Sequence, residues 1–241
     1  MNETVATHPA VCTADLWKIY PQEPDPVEAV RGISLQIETG DFVAMAGPSG
    51  SGKTTMLNLI GGLTRPSRGE IWIGGLEITE MSAKGLAHLR LERIGFVFQA
   101  YNLLPVLTAL ENAEFTLLLR GVAKDERRQK VLELFRKIGL KGLEDRKPGK
   151  LSGGQQQRVA VARAVVADPA LILADEPTAN LDSKASSDLL DVMERLNRDH
   201  GTTFVFSTHD PRVMERSRRL ITLVDGQIES DERCSRSPIS P

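Results

Sequence analysis

One eight-residue stretch limits what this chain of 241 residues can fold into, the glycine-rich segment Gly47-Pro48-Ser49-Gly50-Ser51-Gly52-Lys53-Thr54. It fits the phosphate-loop pattern G-x-x-x-x-G-K-[ST], in which backbone N–H groups surround a phosphate. Residues 42–45 before it are apolar, which is typical of a buried strand, and residues 55–60 after it are typical of the first turns of a helix. This order predicts an α/β fold with a phosphate bound at the helix N-terminus.

The loop and the start of the following helix supply the first predicted nucleotide contacts. Lys53 is placed to reach the β- and γ-phosphates, and Thr54 to offer its hydroxyl to Mg²⁺. The alternative is a glycine- and serine-rich turn that matches by chance, and the flanking strand and helix argue against it. The predicted contacts are Gly47, Pro48, Ser49, Gly50, Ser51, Gly52, Lys53, Thr54 and Thr55.

Charge and cysteine content narrow the class of protein. The 30 Lys and Arg residues nearly balance 32 Asp and Glu residues, and the formal charge of -2 argues against a dedicated nucleic-acid binder. Cys12 and Cys234 lie far apart and predict free thiols in a reducing compartment. Residues 1–11 show no signal-peptide pattern, and charged residues and a proline interrupt the longest apolar stretch, 159–174. A membrane role would therefore require a partner.

Hydrophobic patterning predicts one domain over residues 11–230, with loose residues before it and a disordered tail at 231–241. No strand pattern occurs between Gln99 and Ala170, so residues 100–165 are predicted to form a helical insertion. Predicted strands are residues 16–20, 33–38, 42–45, 69–75, 94–98, 171–174 and 203–207, with a hairpin at 219–229. Predicted helices are residues 55–60, 84–92, 110–120, 125–138 and 183–200.

Two acids follow a second apolar strand. Asp175 ends the run Leu171-Ile172-Leu173-Ala174, and Glu176 comes next. A carboxylate at a strand end beside a phosphate loop is where Mg²⁺ is held, which fits Asp175. Glu176 is then placed to orient and deprotonate the attacking water. The alternative, two solvated acids at a strand end, is disfavoured by the phosphate loop upstream.

A second anion site is predicted before the helix that starts near residue 153. Leu151-Ser152-Gly153-Gly154-Gln155 offers a hydroxyl and backbone N–H groups at a helix N-terminus. An ordinary helix cap with glycine flexibility is the alternative. One chain would then carry two phosphate-binding loops about a hundred residues apart.

These segments together resemble the motifs of ATP-binding cassette (ABC) ATPases. Leu151 to Gln155, with Arg158 after two further glutamines, resembles the signature motif and lies in the family's order. Gln99 after an apolar strand resembles the Q-loop glutamine, residues 179–182 resemble the D-loop, and His209 resembles the switch histidine. The resemblance covers residues 11–230.

The resemblance implies a fold and an assembly. The fold is α/β, a P-loop NTPase (RecA-like) core with an N-terminal antiparallel β-subdomain and an inserted α-helical subdomain. Two copies form a homodimer on ATP binding, with each ATP between the phosphate loop of one copy and the signature loop of the other. The residues that act across this interface are Ser152, Gly153, Gly154, Gln155 and Asp182.

The resemblance also implies single-residue roles, with ATP and Mg²⁺ as the bound groups. His209 hydrogen-bonds the γ-phosphate, and Gln99 contacts Mg²⁺ or water, the alternative for Gln99 being a polar cap on a strand. Tyr20 resembles the aromatic residue that stacks on adenine, and Trp17 is a nearby rival. Catalysis is thus assigned to Glu176, with His209 and Gln99 in support.

Residues 98–105 and 107–112 are similar to the branch that serves lipoprotein release and the export of macrolides and peptides. The expected function is the ATPase subunit of a transport complex, peripheral on the cytoplasmic side of the inner membrane and acting on separate transmembrane permease subunits. The expected cargo is lipoproteins, peptides or drugs. One rival is a soluble family member that remodels ribosomes or DNA, which usually has two cassettes or long coiled coils. A small-molecule kinase, the other rival, would not need the signature motif.

An apolar segment directly follows Gln99. Tyr101, Leu103, Leu104 and Pro105 are either part of the core or the edge of a groove that receives a short helix of the permease.

Overall fold

The computed structural model describes residues 8–234 and consists of ten strands and seven α-helices over that range. The strands are β1 Val11–Tyr20, β2 Val27–Ile37, β3 Phe42–Ala46, β4 Arg68–Ile73, β5 Leu76–Glu77, β6 Ile94–Val97, β7 Leu171–Asp175, β8 Thr203–Thr208, β9 Arg219–Val224 and β10 Gln227–Arg233. The helices are α1 Lys53–Ile60, α2 Ala83–Arg93, α3 Ala109–Leu119, α4 Lys124–Lys137, α5 Gly153–Val165, α6 Ser183–His200 and α7 Pro211–Arg216, and a 3₁₀ turn spans Pro148–Lys150.

The strands form two sheets, with strand orders β10-β9-β3-β8-β7-β6 and β2-β1-β4-β5. In the six-stranded sheet β3 pairs in parallel with β8 and β9, and only the edge strand β10 is antiparallel among the described strands. The four-stranded sheet is antiparallel throughout. This arrangement confirms the predicted α/β core with an antiparallel subdomain.

The six-stranded sheet separates two hydrophobic cores. Successive side chains of a strand point to opposite faces, so neighbours in sequence enter different cores. Phe42 packs with Phe204 and Phe206 on the face covered by α3 to α6. Val43 and Val205 face α1 and the four-stranded sheet. Burial on both faces explains why these strands read as continuous apolar runs rather than as alternating patterns.

The predicted helical insertion is present between β6 and β7. It contains α3, α4 and α5, and no strand occurs among residues 98–170 of the described chain. Val131 and Phe135 of α4 and Ile138 directly after it are buried, and Gly139 follows with φ of 73°. No helix within residues 8–234 is long and apolar enough to cross a bilayer.

The first two strands are longer than the sequence pattern predicted. β1 begins at Val11 rather than at residue 16, and β2 begins at Val27 rather than at residue 33. Their pairing contains register shifts at three places between Thr13 and Ile19. Each shift interrupts the alternation of inward and outward side chains, so the apolar pattern loses its period of two.

Strand β10 also extends beyond the prediction, through Arg233, so a disordered tail does not begin at residue 231. Arg219 holds this extension. Its Nε and one terminal nitrogen each donate to the carboxylate of Asp231 over 2.7 Å. This hydrogen-bonded pair lowers the pKa of the Asp231 carboxyl. The expected loose N-terminus and the rest of the tail fall on residues 1–7 and 235–241, outside the described residues.

Replacing Asp231 by alanine should destabilise the protein by about 1 kcal/mol at neutral pH, since nearly buried Arg219 loses a two-pronged partner. The pKa of Asp231 is lowered in the folded state, so its contribution is present above its ordinary pKa and is lost as acid protonates it. Urea unfolding at neutral and acid pH measures the difference. Glu232→Ala, an exposed neighbour, serves as the control; equal stability of the two variants at neutral pH would contradict the role of the pair.

Candidate functional site

The phosphate loop is wedged between the two sheets. Gly47 and Gly52 have φ values of 148° and 98°. A Cβ on Gly47 would lie 2.1 Å from the carbonyl oxygen of Leu223 in β9, and a Cβ on Gly52 would lie 2.3 Å from that of Ala29 in β2. Because a side chain fits at neither position, glycine allows the loop to contact both sheets.

The side chain of Lys53 folds back onto the start of the phosphate loop. Its Nζ donates to the carbonyl oxygens of Gly47 and Pro48, each over 2.8 Å. Helix α1 starts at Lys53, and its N-cap is Gly52, which has no side chain to satisfy the first N–H groups. The ammonium and these N–H groups therefore offer positive charge to a phosphate in the adjacent cleft.

Thr54 and Asp175 meet at the carboxyl edge of the parallel sheet. Thr54 Oγ1 donates to Asp175 Oδ1 over 3.0 Å. Asp175 ends β7, which lies parallel to β8, and β8 lies parallel to β3, so the three strands end at the same edge as the loop. Mg²⁺ takes one or two protein oxygen ligands and completes its shell with water and phosphate oxygens. The hydroxyl and carboxylate oxygens therefore fit the predicted cation site.

Glu176 is held in an uncommon backbone conformation, with φ of 45°. Its N–H donates to the carbonyl oxygen of Ser207 over 2.9 Å. One carboxylate oxygen, Oε1, lies 2.6 Å from His209 Nδ1, and the other, Oε2, accepts from Thr208 Oγ1 over 3.3 Å. The Glu176 side chain is 16% exposed and that of His209 73% exposed. The carboxylate is thus oriented toward the cleft while the imidazole remains free to turn.

These elements enclose one cleft of about 470 Å³. The predicted residues that line it are Ser49, Gly50, Ser51, Gly52, Lys53, Thr54, Thr55, Gln99, Glu176 and His209. Gln99 follows β6 and is exposed, and its carbonyl oxygen accepts from Asn180 Nδ2 over 2.9 Å. Ala29 also lines the cleft and was missed, because an alanine at the start of an antiparallel strand carries no local signal of binding.

The two aromatic candidates for adenine differ in their surroundings. Tyr20 ends β1 with an exposed ring, and Lys18 Nζ lies 5.0 Å from the ring centroid. Trp17 is half-buried, and its Nε1 donates to Asp15 Oδ1 over 2.8 Å. Its ring also lies against Gly32. The face of Tyr20 is therefore the more accessible, although Tyr20 does not itself line the phosphate cleft within the described residues.

A second cleft forms at the N-terminus of α5. Ser152 caps the helix and shares a reciprocal capping box with Gln155. Asp182 caps α6 nearby, where its Oδ1 accepts from the N–H of Ala185 over 2.8 Å. The predicted residues that line this cleft are Ser152, Gly153, Gly154, Gln155 and Asp182. Among residues 8–234 the two clefts have no lining residue in common, so they are separate sites on one chain.

The apolar segment after Gln99 divides between the interior and the surface. Leu103 packs against the core, and Tyr101 is half-buried. The Tyr101 hydroxyl lies so close to Gly153 that a Cβ at position 153 would be only 2.9 Å from its oxygen. Burial raises the pKa of the Tyr101 hydroxyl. Leu104 is 40% exposed and Pro105 is exposed. Leu104 is therefore the better candidate for an external contact. Tyr101 instead lies beside Gly153, which lines the second cleft.

Known proteins of similar sequence place the chain in a family. The family model described as ABC transporter matches residues 30–179. The chain is 42% identical, over 96% of its length and the full length of the relative, to the lipoprotein-releasing system ATP-binding protein LolD of Legionella pneumophila. It is 48% identical over 93% of its length to the macrolide export ATP-binding/permease protein MacB of Hyphomonas neptunium, and it spans only 35% of that longer protein.

Solved structures show the same fold. The chain superposes on MJ0796 of Methanocaldococcus jannaschii, a dimeric ABC transporter cassette, with a TM-score of 0.86 and 41% identity. The superposition covers 92% of this chain and 98% of the MJ0796 chain. A second dimeric structure of that protein, in a post-hydrolysis state bound to ADP and Pi, superposes equally well.

Replacing Glu176 by glutamine should leave ATP affinity nearly unchanged and lower turnover by about 10²- to 10⁴-fold, because the amide cannot accept a proton from water. Nucleotide binding and phosphate release are measured on the same preparation. Glu70→Gln, at an exposed position on β4, removes the same charge away from the cleft and should hydrolyse ATP normally. Turnover at the normal rate in Glu176→Gln would remove the general-base assignment.

Proposed function

Because the chain belongs to the ABC transporter family and is an ATP-binding and ATP-hydrolysing cassette, we propose that two copies enclose two ATP molecules and drive separate permease subunits. The observation that carries this proposal is the presence of two clefts with different lining residues on one chain. We call the cleft at the phosphate loop the phosphate cleft, and the cleft at the N-terminus of α5 the signature cleft. In a head-to-tail pair, the phosphate cleft of one copy faces the signature cleft of the other. The dimeric structures of MJ0796 support such a pairing.

The phosphate cleft binds the triphosphate. Lys53 Nζ exchanges its contacts with the loop carbonyls for contacts with the β- and γ-phosphates, and the N–H groups of α1 add further donors. Thr54, Asp175 and Gln99 are the residues that would hold Mg²⁺, which neutralises charge on the β- and γ-phosphates. Tyr20 stacks on adenine.

Hydrolysis rests on Glu176 and His209. Glu176 accepts the proton of the attacking water, since its carboxylate is already oriented by Thr208 at the end of β8. His209 turns from Glu176 Oε1 to the γ-phosphate, and its large exposure permits that turn. Ser152 and Gly154 of the second copy complete the γ-phosphate site, and Asp182 acts across the interface.

Two relatives suggest the biological task. One is named for lipoprotein release and one for macrolide export, and the chain covers the whole of the first and about a third of the second. The proposed task is therefore export or extraction of lipoproteins, peptides or drugs at the cell envelope. The subunit would lie on the cytoplasmic side of the inner membrane, bound to its permease.

The permease is proposed to dock in an apolar groove beside Gln99. The groove has a volume of about 460 Å³ and runs between α2, α3, α5 and β6. Its lining includes Leu63, Phe96, Phe98, Leu119, Arg120 and Arg163. Leu119 is 59% exposed at the rim, which suits the apolar face of a short helix. Gln99 follows the strand that forms the floor, so docking and nucleotide state can influence each other.

Replacing Ser152 by arginine should abolish ATP-driven dimerisation, because a long cationic side chain would occupy the space of the γ-phosphate. Sedimentation with and without ATP is measured in the Glu176→Gln background, which prevents hydrolysis. Ser82 is also a helix N-cap, accepts from the N–H of Gly85 at the start of α2 and lies outside both clefts, so Ser82→Arg is the control and should still dimerise. A normal ATP-dependent dimer with Ser152→Arg would contradict the sandwich arrangement.

Leu119 lines the apolar groove beside Gln99, and Leu104 lies outside its lining on the exposed segment that follows Gln99, so the docking surface is proposed to include both. Replacing either residue by glutamate should leave the subunit folded and able to hydrolyse ATP, yet abolish its recovery with the membrane partner, because a charge disrupts an apolar contact. Leu76→Glu is the control, since Leu76 is 42% exposed on the antiparallel sheet. Co-purification from membranes is the measurement. Recovery of both variants at the level of the control would place the docking site elsewhere.

A further inference from the structure

Three consecutive residues contact Glu176, namely the last two residues of β8 and the residue that follows the strand. The carbonyl oxygen of Ser207 accepts from the Glu176 N–H, Thr208 donates to Oε2 and His209 faces Oε1. The proposed reaction uses the Glu176 carboxylate and the His209 imidazole. It gives no task to Thr208, although the Thr208 side chain is completely buried directly beneath the carboxylate.

We propose that Thr208 is a positioning residue that fixes one carboxylate oxygen of Glu176 while the other receives the proton of water. This inference rests on the proposed function of Glu176. Once His209 turns toward the γ-phosphate, Oε1 loses its partner and faces the cleft. The contact with Thr208 Oγ1 at Oε2 then keeps the carboxylate from rotating away from the water.

The hydrogen bonds of Thr208 fix the direction of its proton. Thr208 Oγ1 accepts from the N–H of Asp210 over 3.0 Å. Because an ionised carboxylate oxygen can only accept, the hydroxyl hydrogen is directed to Glu176 Oε2. Thr208 therefore acts as a donor to the carboxylate, which stabilises the ionised, proton-accepting form.

Asp210 is itself held from two sides. Thr178 Oγ1 donates to Asp210 Oδ2 over 2.7 Å, and the Arg212 guanidinium donates to both carboxylate oxygens over 2.8 to 3.1 Å. Burial opposes its charge, but the hydrogen bonds from Arg212 and Thr178 outweigh burial and lower the pKa of Asp210. Thr178 lies two residues after Glu176 and Asp210 lies two residues after Thr208, so this bond ties the segment of the base to the segment that follows Thr208.

The test compares Thr208→Val, which removes the hydroxyl, with Thr208→Ser, which keeps it. In the full chain, single-turnover hydrolysis and kcat should fall about 10- to 100-fold in the valine variant, with KM for ATP within about twofold. The serine variant should recover to within about threefold of the unmodified protein. Equal rates in both variants, or a loss confined to KM, would overturn the proposal.

The same strand offers a matched control. Thr203 at the start of β8 is also fully buried, and its Oγ1 accepts from the N–H of Gly40 over 3.0 Å. Thr203→Val therefore removes an equivalent hydroxyl far along the strand from Glu176. It should lower Tm about as much as Thr208→Val and leave kcat unchanged. A similar fall of kcat in both variants would show a general stability effect and overturn the proposal.

A second variant covers the case in which Thr208→Val does not fold. Thr178→Val keeps Thr208 and removes only the bond to Asp210, so kcat should fall with unchanged KM, and normal kcat would overturn the proposal. Glu176→Gln separates this inference from the proposed function. Normal turnover in Glu176→Gln refutes the role of the base itself. An inactive Glu176→Gln with a fully active Thr208→Val refutes the positioning role alone.

Discussion

The close approach of backbone to backbone at two glycines fixes the rest of the nucleotide site. Gly47 lies against Leu223 of the parallel sheet, and Gly52 lies against Ala29 of the antiparallel sheet. The turn between β9 and β10 adds a third contact, where the N–H of Gly226 donates to the carbonyl oxygen of Ser51. The phosphate loop is therefore the point at which both sheets meet, and the antiparallel sheet acts as a support for that loop.

The order of the parallel strands places Asp175, Glu176 and His209 opposite this loop. Strands β3, β8 and β7 are neighbours and end at one edge. The phosphate loop after β3, His209 after β8, Asp175 at the end of β7 and Glu176 directly after it therefore converge there. Thr54 contacts Asp175 across this edge, and Thr208 at the end of β8 contacts Glu176. Residues that are remote in sequence become one site because adjacent parallel strands carry their loops on the same side.

Helix α5 runs from the signature cleft to the segment that follows Gln99. Its N-terminus forms the signature cleft, and Gln157 within it is fully buried, with Nε2 donating to the carbonyl oxygen of Pro177 over 2.8 Å. Farther along, Arg163 donates to the carbonyl oxygens of Tyr101 and Asn102. Helix α5 therefore forms the signature cleft at its N-terminus and contacts the segment after Gln99 farther along. The groove proposed for the permease also includes residues of this helix.

The sequence by itself determined the phosphate loop, the acidic strand end, the capped signature helix and the helical insertion. Each depends on residues adjacent in the chain, because glycine conformation, helix caps and apolar periods are local properties. Tertiary structure alone decided the rest. Strand β10 reaches Arg233 because Asp231 meets Arg219, and Tyr20 rather than Trp17 presents an accessible ring because Asp15 and Gly32 engage Trp17. Thr208 meets Glu176 from 32 residues away, a contact between neighbouring strands that no local pattern records.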